Sequence, residues 1–116
     1  MNRNHEIATT ILQQLGGKRF IVMTGAKDFT TIDNGLRFKI GRNGSKANMV
    51  EIKLNGMDLY DMEFVKYSPA HLAVNHKKGT ADWKEEVRKT VREFHDIFFD
   101  QMQELFTETT GLYTHF

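Results

Sequence analysis

Three short runs constrain this chain more than anything else in it. Residues 36–40 read Leu-Arg-Phe-Lys-Ile, residues 50–54 read Val-Glu-Ile-Lys-Leu, and residues 59–67 set Tyr60, Met62 and Phe64 against Asp61 and Glu63. Successive side chains of a strand point to opposite faces, so each run as a strand has one oily face and one charged face. Strands of that kind belong to an antiparallel sheet covered on one side and wet on the other. The expected fold class is therefore α+β: one domain over residues 1–116, with an antiparallel sheet of about four to five strands. Its apolar face is covered by an N-terminal and a C-terminal helix.

The rest of the chain supplies the cover and the turns. Asn4 is placed to cap a first helix, Glu6 lies in its first turn, and Ile7, Ile11, Leu12 and Leu15 make one stripe. Gly16-Gly17 ends that helix. Residues 18–23 (KRFIVM), rich in β-branched and aromatic side chains, read as a strand, closed by a turn over residues 24–28. Residues 41–45 form a flexible loop, and Asn55-Gly56 fits a type I′ hairpin turn. Pro69 closes the strand that precedes it. Leu72-Ala73-Val74 fits a short strand and Lys77-Lys78-Gly79 a turn.

From Thr80 two readings compete. In one, a single helix runs over residues 81–110, because Trp83, Val87, Val91, Phe94, Phe98, Met102 and Leu105 step by three or four. In the other, residues 90–94 are a strand, Asp96 caps a shorter helix, and Gly111 ends it.

Several runs resemble a known family. They are Leu15-Gly16-Gly17-Lys18-Arg19-Phe20, Met23-Thr24-Gly25-Ala26-Lys27 with Phe29, Tyr60-Asp61-Met62-Glu63-Phe64, Phe99-Asp100-Gln101-Met102, and Glu108-Thr109-Thr110-Gly111-Leu112-Tyr113-Thr114. Together they are similar to a family of small, largely uncharacterised bacteriophage and mobile-element proteins. The resemblance brings a context and no established activity. It implies a fifth strand and a short final helix after the fourth strand, with residues 68–89 as an insertion holding its own short elements. It thus favours the second reading, with the final helix over residues 96–110.

Composition removes several chemistries. The chain has no cysteine, so thiol catalysis, disulfides and Cys-type zinc sites are out. There is no secretory h-region and no apolar run near the roughly 20 residues that span a bilayer. The expectation is a cytoplasmic protein of a bacterial host cell, without membrane partner, cofactor or small-molecule ligand. The turn Thr24-Gly25-Ala26-Lys27 lacks the G-x-x-x-x-G-K-[ST] pattern that cradles phosphate. His5, His71, His76, His95 and His115 form no H-x-x-x-H pair. Ser45 and Ser68 have no G-x-S-x-G frame. Asp96, Asp100 and Glu104 share one spacing, which fits a solvated helix face better than a cation site. No catalytic and no metal residue is assigned.

Two surfaces remain as candidates. Arg37, Lys39, Arg42, Lys46 and Lys53 lie on or between two neighbouring strands and could follow a phosphate backbone. Glu51, Asp61 and Glu63 share that face and weaken its field. Tyr113 and Phe116 follow the last helix, where they either anchor a partner or fold back on the core. The function expected is a small non-enzymatic accessory protein that binds another protein or itself. The alternative is a nucleic-acid-binding module.

Overall fold

The computed structural model describes residues 3–114. Its elements run α1 (Arg3–Leu15), α2 (Lys18–Thr24), β1 (Lys27–Ile32), β2 (Gly35–Lys39), β3 (Met49–Leu54), β4 (Tyr60–Ser68), β5 (His71–Asn75), β6 (Thr80–Lys84), β7 (Val87–Ile97), a 3-10 turn (Phe99–Gln101) and α3 (Met102–Thr110). The fold is α+β, as the alternating runs imply. A five-stranded antiparallel sheet has the order β1-β2-β3-β4-β7, and β5 and β6 make a separate two-stranded ribbon.

The inward faces behave as the alternation requires. Leu36, Phe38 and Ile40, then Val50 and Ile52, then Tyr60, Met62 and Phe64 are buried in one core with Ile7, Ile11 and Leu15 of α1 and Met102 and Phe106 of α3. Four phenylalanines, Phe20, Phe38, Phe64 and Phe106, are fully buried. Phe20 meets Phe38 and Phe106 edge-on at 5.5 and 5.1 Å. Burial of each such ring is worth about 2–3 kcal/mol, so this cluster sets the position of the helices on the sheet.

Residues 18–23 are helical where a strand was expected. Gly17 (φ 60°) and Gly25 (φ 71°) bracket seven residues, and the Gly25 N–H closes on the Ile21 carbonyl. Phe20 and Thr24, four apart, face the core, while Val22 is exposed. The Thr24 hydroxyl donates to the Phe20 carbonyl at 2.7 Å. Docking of one aromatic ring outweighs the β-propensity of Ile21 and Val22, which is only a weak preference. β1 follows where only a turn was expected, and Gly35 must be glycine for a packing reason: a Cβ there would run into the Ile52 carbonyl of β3.

Three further expectations are corrected. Asn4 lies inside α1, and its side-chain oxygen accepts the Asn34 N–H at 2.9 Å, tying the helix to the β1–β2 turn. Asn55-Gly56 does not make a two-residue turn; residues 55–59 link β3 to β4, with Asn55 Oδ1 accepting the Met57 N–H at 2.8 Å and Asp58 at φ 59°. Asp96 does not cap the last helix. It sits in β7 at φ 56°, its N–H donating to Asp61 and its carboxylate accepting from Asn55 at 2.8 Å.

That residue explains why this stretch resembles a helix. β7 shifts register against β4 twice, once between Arg92 and Thr90 and once between Ile97 and Phe94. Each bulge inserts one residue, so the strand's period of two becomes steps of three or four. Val91, Phe94 and Ile97 then mimic a helical stripe.

Candidate interaction surfaces

The open face of the sheet carries a charge network built by strand register. Glu51 on β3 lies directly opposite Glu63 on β4 and opposite Arg37 on β2. Two facing carboxylates repel, and Arg88 of β7 resolves this by binding both: it contacts Glu51, and Glu63 at 2.9 Å. Arg37 donates twice to Glu51, from Nε at 3.2 Å and from Nη2 at 3.0 Å. The Glu51 side chain is only 5% exposed. Burial pushes its carboxyl up, but hydrogen bonds and charge from Arg88 and Arg37 outweigh burial and hold it below the usual carboxylate range. Burial pulls Arg88 down, and its carboxylate partners more than reverse that. The result is a neutralised clamp across four strands, at the floor of an open trough of about 540 Å3.

The five basic residues picked from sequence divide here. Arg37, Lys39 and Lys53 do line the trough together, but Arg37 is committed to Glu51 and Lys39 lies 3.6 Å from Asp28. Arg42 and Lys46 are exposed on the β2–β3 loop, which Gly44 ties to the Thr110 carbonyl at the end of α3 at 2.7 Å. They are not part of the trough lining. The turn at Thr24-Gly25-Ala26-Lys27 sits at the carbonyl end of α2, the wrong end of a helix for an anion.

The second surface is the β5–β6 ribbon, an arm beyond the sheet. The β4–β7 pairing ends at Ser68 opposite Val87, and pairing resumes at His71 opposite Lys84. Pro69, which has no N–H to give a ladder, falls in the gap on one strand and Glu85-Glu86 on the other. At the root, a hydrogen bond to Glu86 raises the Tyr67 phenol above its ordinary value. At the tip, Asn75 Oδ1 accepts the N–H groups of Lys77 and Lys78 at 3.1 and 3.2 Å, and Gly79 takes φ 63°. The molecule measures 52 × 32 × 24 Å with a radius of gyration of 16.1 Å; a compact chain of this length would have roughly 13 Å.

Register makes the arm amphipathic. Leu72 pairs with Trp83 and Val74 with Ala81, so all four share one face. Leu72, Val74 and Trp83 are 55%, 54% and 65% exposed. The other face carries His71, Ala73, Asn75, Thr80, Asp82 and Lys84. Sequence reasoning placed Trp83 in a core stripe and so missed this face; the signal was the alternation around Ala73 on one side and Asp82 on the other.

A third surface lies along α3. Asp100, Glu104 and Glu108 are exposed at four-residue spacing, and with Tyr113 they border an open groove of about 560 Å3. Asp96, expected on this face, is in β7. Tyr113 is 69% exposed and forms one wall of the groove; Phe116 lies outside the described residues. Among the described residues no group of three or more His, Asp or Glu side chains is placed to hold a metal ion, and no helix is long and apolar enough to cross a membrane.

No protein-family model, curated protein or solved structure matches the chain.

Proposed function

We propose that this is a non-catalytic accessory protein, of the phage or mobile-element type its sequence resembles, which binds another protein through the β5–β6 arm. The observation that carries this reading is the arm's apolar face. A lone two-stranded ribbon is marginal in water, and a contiguous exposed apolar patch rimmed by polar residues is the mark of a binding surface. An exposed tryptophan between aliphatic neighbours is the residue type that most often dominates such interfaces. Support for a non-catalytic role comes from the charge cluster on the open face, which is internally satisfied around the buried Glu51 and leaves no poised acid or base there. The alternative, nucleic-acid binding by Arg37, Lys39, Arg42, Lys46 and Lys53, has less behind it, because Glu51 engages Arg37 and the loop carries Arg42 and Lys46 elsewhere.

The test is a photo-crosslinking amino acid at position 83 in host cells, with position 10 on the exposed side of α1 as control. Adducts specific to position 83 are expected. Equal labelling at both positions would remove the arm as the recognition element. Salt-dependent retention of DNA or RNA would favour the alternative.

A further inference from the structure

Another charged surface lies on the helix side of the sheet, where the helices no longer cover it. Phe64 of β4 is buried in the core and faces Arg92 of β7; two residues further along β4, Lys66 faces Lys89. Register therefore puts Lys66, Lys89 and Arg92 on one face, and all three are exposed. Lys66 and Lys89 stand directly opposite each other, where like charges repel. The Arg92 guanidinium lies 4.7 Å from the centre of the Phe94 ring, which holds it in place and leaves its N–H edge for a partner. The β2–β3 loop brings Arg42 and Lys46 to the same end of the sheet. Asn48 clips that loop to β4, accepting the Tyr67 N–H at 2.8 Å and donating to the Tyr67 carbonyl at 2.7 Å. None of these five cations forms an ion pair among the described residues.

The neighbouring acids do not cancel this charge. Glu86 is engaged by Tyr67 and lines the open-face trough, and Glu93 faces Glu63 on that same open side. Glu85 at the arm's root and Glu108 on α3 are two carboxylates against five cations, and no ion pair joins the two sets. We infer that this patch is a binding surface in its own right and that its occupant is the phosphate backbone of a nucleic acid. Charge complementarity selects a polyanion, and the residue types select which one. Lysine is depleted from protein–protein interfaces, whose centres are apolar, whereas surfaces that hold nucleic acid are polar and strongly positive. Here a facing pair of lysines forms the middle of the patch. An anion between them removes a repulsion that the free protein keeps. The surface differs from the open-face residues Arg37, Lys39 and Lys53, and it does not depend on what the arm binds.

The test is fluorescence anisotropy of a labelled duplex and of a single strand of the same length and mixed sequence, titrated with the full chain across a range of salt. Binding is expected at low salt and should fall linearly on a log–log plot as salt rises; the form held more tightly is the one recognised. The triple change Lys66→Gln, Lys89→Gln and Arg92→Gln should weaken binding about tenfold or more and flatten the salt slope by about two to three. The open-face pair Lys39→Gln and Lys53→Gln should stay within about twofold of wild type. Lys66→Gln alone should leave the thermal midpoint unchanged or raise it, because it removes a facing like charge, so weaker binding is not loss of fold. A midpoint that falls would show that the lysine pair is not repulsive and would remove the premise. No binding by the wild type at low salt overturns the inference, as does tighter capture by vesicles of anionic phospholipid than by either nucleic acid. Loss of binding through the open-face pair and not the triple change also overturns it, and returns the activity to Arg37, Lys39 and Lys53.

Discussion

The sheet body and the arm are made from the same antiparallel ladder, and they differ in what covers it. In the body, Phe38, Phe64 and Val50 lie under two helices and are fully buried. In the arm, Leu72, Val74 and Trp83 occupy the equivalent alternating positions with nothing above them. A backbone hydrogen bond contributes only about 1 kcal/mol net, so a ladder without burial is barely stable. The body is therefore ordered by its own core, whereas the arm's apolar face stays exposed.

That contrast can be broken in order of size. Phe106→Ala should remove about 3–5 kcal/mol from the body by leaving a cavity among Phe20, Phe38 and Phe64, measured by chemical denaturation. Trp83→Ala should change stability by less than about 0.5 kcal/mol, as exposed sites do. Equal losses at the two sites would mean the arm is part of the core after all.

Glu51→Gln should cost about 2 kcal/mol near neutral pH, since it leaves Arg37 and Arg88 without their shared carboxylate. Its pH dependence has a definite sign. The folded carboxyl is held below its usual range, so its contribution is fully present above the unfolded value of about 4.3. The contribution fades as pH falls through the lower folded value. Wild-type stability should drop more steeply there than that of Glu51→Gln, and parallel curves would show that the clamp is not formed.

Gly35→Ala should cost about 1–3 kcal/mol, because the new methyl meets the Ile52 backbone and the β2–β3 pair must part. At the smallest end, replacing residues 69–86 with Asn-Gly should leave the body's unfolding midpoint within a few degrees, since Ser68 and Val87 are already paired and Asn-Gly suits a tight hairpin. Loss of folding would make the arm structural. Hydrogen exchange should separate the two regions directly, with fast amides in β5 and β6 and slow ones in β3.

Much of the body was legible because its strands alternate without interruption. Residues 36–40, 50–54 and 59–67 declare their inward sides, and Ile7, Ile11 and Leu15 declare the helix that covers them. What was illegible had a physical reason in each case. Residues 18–23 are helical because Phe20 docks in the core, a tertiary fact that outweighs local preference. β7 was obscured by its two bulges, which convert a period of two into a helical one. Of the surfaces, the basic residues of the open face were found, but not that register sets Glu51 beside Arg37 and brings Arg88 in from a strand 37 residues away. Tyr113 was singled out without the α3 groove that it borders, while Trp83 was absorbed into a stripe that does not exist.

The bulges in β7 have one more effect. β7 is an outermost strand of eleven residues, long enough to invite another chain's strand to join it. Its kinks at Val91 and at His95-Asp96 spoil the flat template that stacking into fibrils requires, and Arg88, Lys89, Arg92 and Glu93 place charge along it. A chain so equipped should stay dispersed at concentrations where a straight, oily margin of the same length would seed aggregates.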